Sequence, residues 1–424
     1  MPVLQRRYNY YLGKQDIKYQ STEYGESKVG KSRPDNRIVT NFVRNIIDCF
    51  EGFCTGKPVD YVAESDESDG LVDALNECFR YNDVNDEDAE FFRLGLIYGR
   101  GCEICYVDED GKNRFRTLDP RTVIPVYSDD LNDELLAVIR FWKVHIAGEQ
   151  FDRYTVEVYD DTYKTTYNSD MGFASFVQVE KVPHHFSQCP ITIFKLNTEE
   201  EGIADDIFDL QNAYNTLFSS SVNDYQSFAD AYLVLKGAIA DEDNIASMKS
   251  NRVLMLDTGA DAEYLTKDVT VSQVQDLLKR TEQKIREISG VPDFSSEEFS
   301  TSSGIAIKFR CMSLENRASA ILNNFKKALM RRIELLSYVI NLVSGSDVFA
   351  EVKIVFTRNL PVDLSENANL VNTLRGIVSE STLLSLLPFV DDVEKEIDKI
   401  KEEEEEKKSQ YALQMETEFT DEEA

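Results

Sequence analysis

Residues 86–119 read DEDAEFFRLGLIYGRGCEICYVDEDGKNRFRTLD, and two periodicities meet inside this run. Asp86, Glu87 and Asp88 suit the positive N-terminal end of a helix. Apolar residues carry that helix to Tyr98, where Gly99 and Gly101 stop it. From Cys102 the residues alternate, and Asp110-Gly111 marks the turn of a hairpin. A helix feeding an antiparallel hairpin sets the fold class as α+β.

The same two patterns extend outward. Ile38, Val39, Phe42, Val43, Ile46, Ile47 and Phe50 predict a helix from about Pro34 to the glycines at 52 and 56. Residues 1–35 are polar and tyrosine-rich and read as an extended arm. KPVDYV (57–62) is a short strand, and residues 68–81 form a helix. Period two continues to Gln178 through LLAVIRFWKV, FDRYTVEVYD and TYKTTYN. Residues 205–232 contain neither proline nor glycine and predict a helix. Strand AYLVLKG follows, then a compact segment with a short helix near 244–250 and strands VLMLD and AEYL. Residues 270–289 are helical, with Val274, Leu277, Leu278, Ile285 and Ile288 on one face. A loop over 290–303 separates this from a single long helix, Gly304–Val343, about 60 Å in length. Ser302 or Ser303 is its cap. EVKIVFT is a strand, and 364–390 predicts two helices about a turn near Gly376.

The chain has 424 residues, room for two or three structural regions. Its 24 Phe and 20 Tyr are enough apolar bulk for packed cores. Asp and Glu total 77 against 46 Lys and Arg, a net charge of −31. A protein that grips nucleic acid needs the opposite sign, whereas an acidic wall lets a duplex slide past. The charge is uneven. Residues 199–235 carry eight acids and no base, while the long helix carries seven bases against two acids. Residues 394–424 hold thirteen acids and five lysines.

The seven cysteines, odd in number and scattered, point to reduced thiols and a cytoplasmic context. Cys102 and Cys105 form one CxxC without a second, so a buried core pair is expected rather than zinc. No signal-peptide core or apolar run near 20 residues occurs, so no membrane role is expected. His145, His184 and His185 lie in no HExxH or similar constellation, and no GxSxG is present. No metal, cofactor or catalytic residue is expected. The one enzyme-like motif is Gly25–Ser32, GESKVGKS, a literal Walker A pattern. A P-loop needs an apolar strand before it and a helix after it. IKYQSTEY is a poor buried strand, and Pro34 disfavours helix at Arg33. A P-loop nucleotide-binding packaging enzyme is therefore the alternative reading, not the leading one.

Several stretches, in order, resemble phage portal proteins of the SPP1-like family. Asp35-Asn36-Arg37-Ile38-Val39 and then Gly56-Lys57-Pro58-Val59 resemble that family's N-terminal signature. Tyr98-Gly99-Arg100-Gly101, then Leu118-Asp119-Pro120-Arg121, are similar too. So is Asn223-Asp224 through Ala231-Tyr232-Leu233-Val234-Leu235-Lys236-Gly237. Ser289-Gly290-Val291-Pro292-Asp293 and Ser303-Gly304 flank the family's tunnel loop. Leu386-Leu387-Pro388-Phe389-Val390-Asp391-Asp392 precedes an acidic helix, as in the family. The chain after Asp392 is short, which implies a small crown.

The resemblance implies a portal fold of wing, stem, clip and small crown, with long helices and antiparallel sheet. Residues 1–202 would be the N-terminal part of the wing, 203–232 a stem helix, 233–269 the clip and 270–289 the second stem helix. Residues 290–303 would be the tunnel loop, 304–374 the wing's long helix and strand, and 375–424 the crown and acidic tail. It implies a homo-oligomeric ring, a dodecamer, at a capsid vertex of the virion, assembled in the host cytoplasm. The ring would conduct double-stranded DNA during packaging and ejection. Partners would be the terminase large subunit, the head-completion adaptor, and the major capsid and scaffolding proteins. The DNA-facing loop residues would be Phe294, Ser295, Ser296, Glu297, Glu298, Phe299 and Ser300. Charge complementarity adds a subunit interface of Lys326, Lys327, Arg331 and Arg332 against Asp205, Asp206 and Asp209.

Overall fold

The computed structural model describes residues 2–20, 35–63, 69–145, 152–169, 175–228, 232–236, 261–265, 271–296, 304–345, 351–359, 364–387 and isolated positions to 401. The chain forms two compact units. One comprises Met1–Asp293 with Cys311–Asn359, the other Phe294–Arg310 with Leu360–Ala424.

The first unit begins with a helix, not an extended arm. Helix α1 (Pro2–Tyr11) buries Arg7 and Tyr10. Arg7 donates to the backbone oxygens of Tyr98 and Glu200 and pairs with Asp205 at 2.6 Å. Those partners lie more than 90 residues away, so no local pattern announces this helix. Helix α2 (Phe42–Cys54) starts later than Pro34. Residues 35–41 are non-helical, and the Asn41 side chain accepts the Arg44 N–H to cap α2. Val43, Ile46, Ile47, Phe50 and Phe53 form its buried stripe.

Strand β1 (Asp60–Ala63) leads to α3 (Asp69–Tyr81) and α4 (Val84–Tyr98). Gly99 ends α4 at φ +80, its N–H bonded to Gly95 O at 2.9 Å. A left-handed glycine at this place closes the helix and turns the chain straight into β2 (Arg100–Val107). Strands β2 and β3 (Asn113–Leu118) pair antiparallel as the expected hairpin, with Gly111 at φ +76 in the turn. Strands β4 (Val123–Tyr127), β5 (Leu135–Val144), β6 (Arg153–Tyr159), β7 (Tyr163–Ser169) and β8 (Phe176–Pro183) make one five-stranded antiparallel meander. Strand β9 (Ile191–Lys195) does not extend that meander. It pairs with β2, giving the order β3-β2-β9.

A 3-10 turn at Asp205–Ile207 opens into α5 (Phe208–Phe228). Strands β10 (Tyr232–Lys236) and β11 (Asp261–Leu265) pair antiparallel before α6 (Val271–Ser289) packs back on α5. The expected elements at 244–250 and 253–257 lie outside the described residues. The expected long helix is interrupted. Helix α7 (Gly304–Arg310) ends at the buried Cys311, whose ψ of −2° breaks the run before α8 (Met312–Ser344). Strand β12 (Val352–Val355) pairs antiparallel with β1, from Asp60 opposite Val355 to Ala63 opposite Val352. In the second unit, α9 (Leu364–Leu374) and α10 (Glu380–Ser385) flank Gly376 at φ +84.

The first unit's core forms where α4, β9 and α8 meet. Phe91, Phe92, Phe194 and Phe325 are each unexposed, with ring centroids 5.0–6.0 Å apart. Truncating one such ring costs about 3–5 kcal/mol. A second cluster holds Cys102, Val123, Val138, Cys189 and Ile191 between the two sheets. Cys102 and Cys105 are buried free thiols, as their alternating context predicts. Burial pushes the Cys102 thiol up to about 12. Among the described residues, Arg332 is the largest fully buried side chain.

Candidate functional site

Helices α5 and α6 pack together, and the β10–β11 pair lies between them in sequence. Helix α6 leads into the loop after Gly290. Gly290 sits at φ +73, its N–H bonded to Arg286 O at 3.0 Å. A Cβ there would lie 2.9 Å from Ser313 Oγ, so glycine serves both the cap and the close approach of α8. Ser289 Oγ donates to Arg286 O and accepts the Val291 N–H. The terminal carbonyls of α6 would otherwise lack donors. Arg317 on α8 donates to Ile288 O and Ser289 O, both at 2.8 Å. Burial pulls the Arg317 pKa down, against the nearby charge of Asp206. The end of α6 is thus pinned before the loop begins.

Within the loop, the Phe294 and Phe299 rings meet edge-on, centroids 5.0 Å apart. The Phe299 N–H donates to Ser296 O at 3.0 Å. Phe294 and Ser295 are exposed, and Ser296 and Phe299 are half-buried. Glu297, Glu298 and Ser300 lie outside the described residues. The structure therefore brings two aromatic rings of the expected loop into one contact, leaving Phe294 46% exposed.

The expected interface residues separate into two groups. Lys326, Lys327, Asp206 and Asp209 are exposed. Arg331 is half-buried and donates to Gln188 Oε1 and Cys189 O in its own chain. Asp205 is held by Arg7. Arg332 has no exposed side chain and bonds Asp88 Oδ1 at 2.5 Å and Glu103 Oε1 at 2.8 Å. Tyr61 completes the cluster by donating to Asp88 Oδ2 at 2.8 Å. A buried arginine cannot present itself to a neighbouring subunit. Net charge along the helix grouped Arg332 with the exposed lysines; only packing separates them.

Beside Lys327 and Arg331 lies an open cleft of about 770 Å³, also lined by Tyr127, Asp133, Asp161 and Lys195. With Glu134 also in its lining, three acids face three cations, so the cleft carries no net formal charge to favour a charged ligand. Among the described residues, no group of three or more His, Cys, Asp or Glu side chains converges to hold a metal. No helix there is long and apolar enough to cross a membrane. The Walker-like stretch at 25–32 lies outside the described residues.

The model of a family described as phage portal protein, SPP1 Gp6-like, matches residues 1–410. The chain belongs to this portal family. A portal protein of Clostridium phage phiCD119 is 22% identical over 413 residues, covering 92% of this chain and 90% of its own length. A portal protein of Bacillus phage SPP1 is 23% identical over 426 residues, covering 93% of this chain and 82% of its own. Portal proteins are virion components and form a structural family rather than an enzyme family. The match agrees with the α+β fold and with the resemblance carried by the stretches between Asp35 and Asp392. Sequence reasoning missed Arg7 and the polar face of α5. Both lie in polar runs where only distant partners reveal their role.

Proposed function

We propose that this chain forms a dodecameric ring at one capsid vertex and serves as the conduit through which DNA enters and leaves. The observation that carries this reading is the portal-family match over residues 1–410. The paired helices α5 and α6 with a β-hairpin between them support it, since stem and clip have that order. The ring nucleates capsid assembly with major capsid and scaffolding proteins in the host cytoplasm. Its clip, residues 233–269, docks the terminase large subunit during packaging and later the head-completion adaptor.

The chain's own chemistry suits a passive conduit. With a net charge of −31 per subunit, the bore repels phosphates and offers little to hold them. The energy for movement comes from the terminase. The loop after Gly290 presents Phe294 and its neighbours toward DNA. Exposed Lys326 and Lys327 of one subunit meet Asp206 and Asp209 of the next. Negative-stain microscopy of the purified chain tests the reading. Rings with a central hole are expected, and a uniform population of monomers at high concentration would overturn it.

A further inference from the structure

Residues 36–42 run beside α5 with a regular exchange of hydrogen bonds. The N–H groups of Asn36, Ile38, Thr40 and Phe42 donate to Asn223 Oδ1, Ser219 Oγ, Asn215 Oδ1 and Gln211 Oε1, at 2.8, 2.9, 3.0 and 3.0 Å. Gln211 Nε2 returns a bond to Thr40 O at 2.6 Å. Asn223 Nδ2 and Ser219 Oγ donate to Asn36 O and Ile38 O at 3.4 Å. The partners are every second residue of the segment and every fourth residue of the helix.

The spacing has a physical basis. Two residues of extended chain advance about 6.6 Å, and four residues of helix about 6.0 Å. The mismatch is small enough for three successive steps between the four contacts. Gln211 and Asn215 are unexposed and Ser219 is 4% exposed. Such buried polar groups are costly unless paired, and here their partners are backbone groups.

We infer that the face of α5 bearing Gln211, Asn215, Ser219 and Asn223 is a peptide-backbone binding site that holds residues 36–42 in a single register. It reads the backbone N–H and C=O groups at every second residue, as a sheet edge would, and only at Asn36 does it also take a side chain, whose Nδ2 donates to Asn223 Oδ1 and Gln226 Oε1, both at 2.7 Å. The register is blocked on both sides. A slip of two residues one way would set Pro34, which has no N–H, against Asn223. A slip the other way would draw Arg44 out of the first turn of α2, where Asn41 holds its N–H. The site also reaches α1 and its following turn. Asn215 Nδ2 donates to Gln15 Oε1 at 2.5 Å, and Asn212 Nδ2 to Tyr10 OH at 2.6 Å. The helix proposed as stem and the N-terminal wing segment thereby form one mechanical piece.

An alternating proline scan, read by hydrogen exchange of the peptide covering 35–42 in the full chain, tests this. Ile38→Pro and Thr40→Pro each remove a donor that α5 uses, and exchange rises roughly tenfold, the worth of one such bond. Val39→Pro, at a position with no bond in the ladder, leaves exchange unchanged. Ile38→Ala keeps the amide and the protection. Ser219→Ala matches Ile38→Pro, adds little in combination with it, and is rescued by Ser219→Thr. Equal effects at 38 and 39, or additive losses for the 38/219 pair, would overturn the site. Ring formation is read separately by microscopy, so failure of this inference and failure of the portal-ring reading are distinguishable.

Discussion

The guanidinium of Arg332 donates to both carboxylate oxygens of Glu103, a residue 229 positions earlier, and neither side chain is exposed. Asp88 adds a second carboxylate to the same guanidinium, so two acids share one base inside the first unit. Arg332→Met leaves both acids buried without their cationic partner, Asp88 keeping the Tyr61 hydroxyl. The expected loss is about 3–5 kcal/mol of unfolding free energy. Arg332→Lys recovers only part of it, because an ammonium lacks the planar fork that spans two oxygens. Denaturant unfolding of the two variants checks the order.

The same cluster predicts a pH dependence. Burial pushes the Glu103 carboxyl above its ordinary range, against the pull of Arg332, and Asp88 adds a like charge. An acid with a raised folded pKa contributes its stability below its unfolded pKa and loses it as pH rises through the folded one. The stability of the chain relative to Glu103→Gln should therefore fall as pH rises above about 4.3, the ordinary glutamate value. A difference that is flat, or that grows with pH, contradicts this account.

Gly99 separates helix α4 from strand β2 at φ +80, and a Cβ there would run into the backbone of Glu200. Gly111 has φ +76 with nothing within 4 Å of the same atom. Gly111→Ala should cost only the left-handed penalty, about 1–2 kcal/mol. Gly99→Ala should cost distinctly more, because the clash with backbone adds to that penalty. Thermal unfolding of both variants measures the difference.

Removing Ser295–Ser300 deletes Phe299, the ring partner of Phe294, but leaves Gly290 and the Arg317 clamp in place. Rings should still form, and DNA packaging into capsids should fall. Normal packaging by the deletion variant would remove the loop from the proposed channel.

Lys326 and Lys327 are exposed, whereas Arg332 on the same helix is buried. The double variant Lys326→Glu/Lys327→Glu should keep the unfolding midpoint of the free chain and weaken ring assembly, most visibly at low salt. Sedimentation across a salt series reports this. Rings unchanged at every salt concentration would exclude these lysines from the interface.

Local pattern sufficed for much of the fold. The hairpin about Asp110-Gly111, the alternation in 135–144 and 153–169, and the helices at 69–81, 84–98 and 271–289 were legible as periodicity, since each element carries its own apolar face. The family was legible too, through short motifs in a fixed order from Asp35 to Asp392. Other features depended on residues far apart in the chain. Residues 36–41 have helical apolar spacing yet run beside α5, because side chains some 180 positions away take their amides. Polar residues 2–11 form a helix because Arg7 reaches Tyr98, Glu200 and Asp205. Net charge alone cannot tell an exposed lysine from the buried Arg332, since that depends on which acids the fold brings beside it. Sequence by itself determined the α+β class, most elements and the family. Tertiary structure alone decided which polar side chains face inward, because a buried polar group persists only where distant parts of the chain supply its partners.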